Sequence, residues 1–306
     1  MKRLMYSDVA ELHKSRSSFA HIITLKSKRL MKIIITLLML ISCVDLMAQD
    51  LTVMTYNIRY DNPKDGDNRW DNRKKFLVDQ IKFYQPHAFG VQEGMAHQID
   101  FIDHALPNYS YIGVGRDDGK TKGEYSAIFY KNNQLDTLKQ GTFWLSENPD
   151  EPSVGWDASM ERICTYALFT YEKTSFWVFN THFDHKGDQA RVESAKLILK
   201  KINKLNTNNL PVIFMGDLNS KPTSKPIQFI TQSLSDSKLS TAQFYGMEST
   251  FNGFNNVYEK DKRIDYIFHS KNIKVLKSAT LSQTYEQRFL SDHFPVIAHI
   301  RFEDRE

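Results

Sequence analysis

Eight residues of this sequence combine polar chemistry with a position at the end of an apolar, strand-like run. Asn57 closes Leu51-Thr52-Val53-Met54-Thr55-Tyr56, and Glu93 follows the short run 88–92. His182 follows Phe176–Phe179, and Asp217 and Asn219 stand in Gly216-Asp217-Leu218-Asn219 directly after Pro211–Met215. Asp265 opens another run, and Asp292 and His293 precede the last. Strand ends converge on one edge of a sheet, so these clusters can meet in space. Together they offer hard oxygen donors beside imidazole bases, a set that suits Mg²⁺ or Mn²⁺ rather than zinc. Singly, each has a plainer use. An Asp-x-Asn after a strand caps local backbone, a glutamate ahead of a helix favours its dipole, Asp292 serves as a cap, and a lone histidine is commonly structural. The weight lies in the ordered set.

That order (TYNIR, QE, NTHFDH, GDLN, RIDYIF, SDHFPV) resembles the endonuclease/exonuclease/phosphatase superfamily over residues 51–302. The stretches RWDNRK and FWLSENP, GWDA and ERICTYALF look like a branch common among exported bacterial proteins. The resemblance implies a metal-dependent phosphoesterase. It assigns Glu93 as principal metal ligand, Asn57 as support for metal and phosphate, and Asp292 as a second metal or water-network acid. Asp217 would orient or deprotonate the attacking water, with Asn219 a phosphate donor beside it. His293 would sit at the phosphate, oriented by Asp265, and His182 near the leaving oxygen. Arg162 would meet substrate phosphate, and Glu124 and Tyr125 fall where some relatives contact substrate or metal. Such a site would neutralise phosphate charge with the ion, preorganise donors toward the transition state and use Asp217 as general base.

Positioning these residues requires strands that end together. Strand character is expected at 51–59, 88–92, 109–115, 126–131, 135–144, 163–171, 174–181, 211–215, 263–269, 272–282 and 294–302. Helical spacing is expected at 70–84, where Leu77, Ile81 and Tyr84 share a face, at 96–106, and at 188–205, where Ala195, Ile198, Ile202 and Leu205 form a stripe. Strands in two groups with a few long helices predict an α/β fold, two mixed β-sheets packed face to face with helices on the outside, a four-layer sandwich.

The N-terminus has the layout of an export signal. Lys26, Lys28, Arg29 and Lys32 precede the apolar run 33–41, too short to span a bilayer. Leu40-Ile41-Ser42-Cys43 resembles a lipoprotein box, which would anchor the chain through Cys43. Leu46-Met47-Ala48-Gln49 resembles an ordinary cleavage site, favoured because Cys43 lies so close to the first expected strand. The expectation is an N-terminal extension and signal segment over 1–49, a catalytic domain over 50–306, and a periplasmic or extracellular location. The mature chain would have no membrane span and be a monomer.

Charge narrows the substrate. The sequence pI of 8.8 suggests nucleic acid, but residues 1–49 hold eight of the 40 basic side chains and three of the 36 acidic ones. From Asp50 onward 32 basic side chains face 33 acidic ones, a net of −1, so strong phosphate-backbone binding is not advertised. A phosphorylated small molecule is therefore the favoured substrate, with a nucleic acid or a sphingomyelin-like lipid as alternatives. The two cysteines, Cys43 and Cys164, permit no disulfide framework in the mature chain. The sequence lacks HExxH, which argues against a zinc hydrolase. An inactive binding protein of the same fold would be expected to lack one of the eight residues, and all are present.

Overall fold

The computed structural model describes residues 28–33, 50–256, 259 and 261–303. Residues 28–33, part of the basic N-terminal segment, are helical and exposed. The apolar run from residue 34 and Cys43 lie outside the described residues. Residues from Asp50 onward form a compact unit of their own.

This unit opens with β1 (Asp50–Asn57), a 3-10 turn (Pro63–Asn68), α1 (Trp70–Tyr84), β2 (Ala88–Gln92), α2 (Ala96–Ala105), β3 (Tyr109–Ile112), β4 (Ile128–Lys131), β5 (Leu135–Trp144), β6 (Ile163–Tyr171) and β7 (Thr174–His182). It continues with α3 (Asp188–Leu205), β8 (Val212–Asp217), α4 (Lys225–Ile230), β9 (Ser235–Asp236), α5 (Ser237–Ser240), β10 (Phe244–Gly246), β11 (Asp265–His269), β12 (Ile273–Thr280) and β13 (Val296–Phe302). Among the described residues the strands form a seven-stranded sheet in the order β10-β12-β13-β1-β2-β4-β3 and a six-stranded sheet in the order β5-β6-β7-β8-β11-β9. The expected fold class, two mixed sheets with helices outside, is what the chain adopts.

Three apolar clusters separate the four layers. Between the sheets, Leu51, Val53 and Ala298 of the first meet Phe176, Val178, Ile213 and Met215 of the second. Outside the first sheet, Met54, Tyr56 and Phe89 pack on Leu77 and Ile81 of α1 and Ile99 and Ile102 of α2. Outside the second, Phe179, Phe214 and Phe268 pack on Ile198 and Ile202 of α3. Full burial of such a side chain stabilises by about 1.5–3 kcal/mol. Strands β2, β8 and β11 are buried at every residue, so they read as continuous apolar runs rather than alternating ones.

One polar seam crosses the dry interior. Asn180 on β7 donates to the carbonyls of Val91 and Ala127 at 3.0 and 2.8 Å, and accepts from Gln92 at 2.6 Å. Gln92 also donates to Thr55 at 3.0 Å. Gly90 makes room for this seam, since a Cβ there would lie 2.4 Å from Asn180 Oδ1.

The short elements β9, β10, α4, α5 and the 3-10 turn were not expected, because two to six residues are too few to show a period. The expected strand 109–115 stops at Ile112, and Gly113, at φ 149°, starts the loop to β4.

Candidate active site

The parallel pairing of β1 with β2 sets Asn57 beside Gln92, immediately before Glu93. In the second sheet, parallel pairing of β7 with β8 aligns His182 with Asp217, and antiparallel pairing of β8 with β11 aligns Asp217 with Asp265. Three site residues thus stand abreast on neighbouring strands, and the face-to-face packing brings Asn57 and Glu93 over them. Gly216 lets β8 run close to β7 here. Its φ is 149°, and a Cβ would fall 2.0 Å from the Thr181 carbonyl oxygen.

Asn57 joins the two halves. Its Nδ2 donates to Glu93 Oε1 at 3.0 Å and to Asp217 Oδ2 at 2.9 Å, while its Oδ1 accepts the Arg59 N–H at 3.0 Å. Glu93 and Asn219 occupy left-handed backbone, φ 63° and 45°. Local hydrogen bonds hold both: Tyr60 N–H donates to Glu93 Oε2 at 3.2 Å, and Asn219 N–H donates to Asp217 Oδ1 at 2.9 Å. The Asn219 side chain reaches the Phe183 carbonyl and His182 Nε2, each at 3.0 Å. His293 Nδ1 meets Asp265 Oδ2 at 2.9 Å, and its Nε2 lies 3.7 Å from Asp217 Oδ2.

Burial and like charge set the protonation of these groups. Burial, reinforced by Asp265, pushes the Asp217 carboxyl up to about 7. Burial opposes charge on His293, but Asp265 and Asp217 outweigh it and hold the imidazolium well above the usual histidine range. His182 goes the other way, held neutral by burial and by Arg162 and Arg116. Two histidines that lie 3.4 and 3.7 Å from the same Asp217 oxygen therefore take opposite forms, the pattern of an acid–base site.

Glu93, Asp217 and His293 each offer a ligand atom within 4.8 Å of the others. The sequence had suggested Asn57, Glu93 and Asp292 as metal ligands. In the structure Asn57 turns its amide N–H groups, not its oxygen, toward the carboxylates. Asp292 faces Arg59, with Oδ2 3.7 Å from Nη1. The two converging carboxylates, Glu93 and Asp217, fit a hard divalent ion, while the charged His293 ring stands beside them as a hydrogen-bond donor. The nearby cation Arg59 does not balance them alone, being engaged through both Nε and Nη2 with Asp65 at 2.9 and 3.0 Å.

A cleft of about 650 Å³ opens over this group, lined in part by Glu93, Glu124, Arg162, His182, Asn219 and His293. Arg162 reaches it while 4% exposed; among the described residues its Nη1 has no hydrogen-bond partner, and its Nη2 lies 3.0 Å from His185 Nδ1. Glu124 Oε2 is 2.7 Å from Arg116 Nη1 and 3.9 Å from His182 Nδ1. Tyr125 does not line the cleft itself but shares a small adjoining cavity with Glu124, Arg162 and His182. Its ring belongs to the core beside α2, and its hydroxyl donates to the Lys120 carbonyl at 3.0 Å. Sequence reasoning passed over Arg59, Asp184 and His185, although TYNIR and NTHFDH contain them. Asp184 accepts from Ser159, Lys186 and Gly187 and lies 3.4 Å from Arg162 Nε. A second acid and base directly after a strand-end histidine was the available signal.

The family model described as Endonuclease/Exonuclease/phosphatase family matches residues 54–293. The chain belongs to this family. A family protein of known structure from Bacteroides thetaiotaomicron is 39% identical, with a TM-score of 0.81 over 84% of this chain and 100% of that one. A mannosyl-6-phosphatase from Bacteroides thetaiotaomicron VPI-5482 is 40% identical, with a TM-score of 0.80 over 82% and 100% of the two chains. A probable RNA exonuclease of Schizosaccharomyces pombe is 25% identical over 195 residues, 57% of this chain and 37% of the relative. The chain thus spans little more than a third of that relative's length. Members of the family hydrolyse phosphate esters, typically with a divalent metal, and this chain is a phosphoric ester hydrolase.

Proposed function

We propose that this protein is an exported, Mg²⁺-dependent phosphatase acting on a soluble phosphorylated small molecule, with a phosphorylated sugar as the favoured class. The observation carrying this reading is the convergence of Glu93, Asp217 and His293 around the Asn57 amide beneath the cleft. The sugar class is supported by the mannosyl-6-phosphatase, 40% identical over nearly the whole catalytic unit. Near-neutral charge from Asp50 onward favours a small substrate over a polyanion. Export rests on the basic and then apolar layout before residue 42.

Glu93 would hold the ion, with Mn²⁺ a substitute for Mg²⁺; when bound it neutralises phosphate charge as a Lewis acid. The protein's own residues do the rest. Asp217 Oδ2, buried beside Asn57 and His293, takes the proton of the attacking water as general base. His293 Nε2 donates to a phosphoryl oxygen while Asp265 holds Nδ1 and favours the charged ring. Arg162 Nη1, buried and without a partner among the described residues, offers a further donor to phosphate.

Purified protein assayed with and without Mg²⁺ on sugar phosphates, p-nitrophenyl phosphate, bis-p-nitrophenyl phosphate, RNA, DNA and sphingomyelin tests the reading. Metal-dependent phosphate release from sugar phosphates, lost in Asp217→Ala and His293→Ala, supports it. Turnover confined to nucleic acid or lipid overturns the substrate class. Recovery of the native protein from the cytoplasm overturns export.

A further inference from the structure

The RWDNRK motif contributes a buried cation that the mechanism leaves unused. Arg73 of α1 is 3% exposed, yet its guanidinium makes its hydrogen bonds to backbone carbonyls. Nε donates to Asn68 at 2.9 Å, Nη1 to Ile58 at 2.5 Å and Leu290 at 2.9 Å, and Nη2 to Arg59 at 2.9 Å. The rings of Trp70 and Phe254 flank it at 5.3 and 5.7 Å. No ion pair of Arg73 occurs among the described residues; Asp292 and Asp65 act on it only at longer range. A buried charge without a contacting carboxylate is costly unless its hydrogen bonds are well made.

The carbonyls it gathers come from three separated segments, two of which adjoin site residues. Ile58 and Arg59 directly follow Asn57, and Leu290 directly precedes Ser291-Asp292-His293. Arg59 has a left-handed backbone, φ 59°. Its carbonyl is fixed from two sides, by Arg73 Nη2 and by Gln98 Nε2, each at 2.9 Å. Arg59 in turn places a cation 3.7 Å from Asp292 and 3.9 Å from Glu93. A second tie joins the same two segments, where Ser291 Oγ donates to the Asn57 carbonyl at 2.7 Å.

We infer that Arg73 is a positioning residue for phosphoester hydrolysis: its planar fork sets the Arg59 peptide and the turn carrying Asp292 and His293 against Asn57. A lysine would keep the charge but could not span three segments with a fixed fork. Misplacement of reacting groups by about 1 Å can cost about 10²-fold in rate.

The test compares Arg73→Lys, Ser291→Ala and a control, Ile202→Val, in the outer layer under α3. All are assayed on a phosphoester that the wild-type enzyme turns over, with melting temperatures measured alongside. The expected result is a fall of about 100-fold in kcat for Arg73→Lys, with KM within about threefold, while Ile202→Val keeps wild-type kcat. Ser291→Ala, which leaves the fork intact, is expected to lose about tenfold in kcat. Folded Arg73→Lys with wild-type kcat overturns the inference, showing that charge alone suffices. Should Arg73→Lys not fold, Ser291→Ala decides: wild-type kcat there means the juxtaposition of the two segments does not govern the rate.

Discussion

The Asn57 amide nitrogen lies 3.0 Å from Glu93 Oε1 and 2.9 Å from Asp217 Oδ2, so one side chain from the first sheet spaces a carboxylate of each sheet. Removing it takes away two charge-assisted hydrogen bonds in a buried setting. Asn57→Ala is expected to lower kcat by roughly 10²–10³-fold, the loss typical of a preorganised donor. Asn57→Asp adds a carboxylate between two others and should do at least as much damage. Steady-state kinetics at saturating Mg²⁺ check both, and wild-type kcat in Asn57→Ala would reduce this residue to packing.

The pairing of Asp265 with His293 at 2.9 Å invites the isosteric change Asp265→Asn. The amide retains the shape but no longer stabilises a charged imidazole. Loss of kcat of about 10³–10⁴-fold is expected, as for acid–histidine pairs elsewhere. Because it also takes the charged partner from a buried ring, the same substitution should lower the melting temperature, so kcat is compared at a temperature where calorimetry shows both proteins folded.

Metal removal is readable without activity. Chelation should abolish turnover, and Mg²⁺ or Mn²⁺ should restore it. Because the ion binds the folded site, Mg²⁺ at about 100 times its Kd should add about 2.7 kcal/mol of stability. Glu93→Gln should erase most of that increment in a thermal-shift titration. An increment equal to wild type would remove Glu93 from the ion's ligands.

Acid lability should arise at the opposite end of β2. Burial, aided by Lys131, drops His87 to about 4 in the folded protein, against about 6.5 for an unfolded histidine. The Thr52 N–H donates to His87 Nδ1 at 2.9 Å, a bond that needs the unprotonated ring. Between these values the unfolded chain binds more protons, so stability is complete above about pH 6.5 and falls as pH drops toward about 4. Allowing for partial exposure, the loss is on the order of 2 kcal/mol. His87→Gln should flatten that part of the urea-unfolding profile against pH.

The seam at Asn180 predicts a stability cost with a local cause. Asn180→Ala removes one partner each from Gln92 and from the carbonyls of Val91 and Ala127 in the dry interior. A loss of about 2–4 kcal/mol in chemical denaturation is expected. Asn180→Ala of wild-type stability would mean that water or a shifted Gln92 replaces the lost bonds.

Much of the architecture was legible because it is written in local pattern. Apolar runs such as Val212–Met215 declare buried strands, the stripe Ala195–Ile198–Ile202 declares a helix face, and strand-end polar residues declare a shared edge. The ordered motifs identified the family that the matched segment 54–293 confirms. What remained out of reach depends on register and packing. That His182, Asp217 and Asp265 stand abreast follows from strand pairing between segments far apart in the chain. The sequence therefore determined which residues could do the chemistry and which elements would carry them, since residue type and periodicity are local properties. Only the tertiary structure decided that Asn57 faces the carboxylates with its nitrogen, that Tyr125 belongs to the core, and that Arg73 gathers three segments. Orientation, burial and hydrogen-bond partners are properties of the assembled sheets, and no single segment carries them.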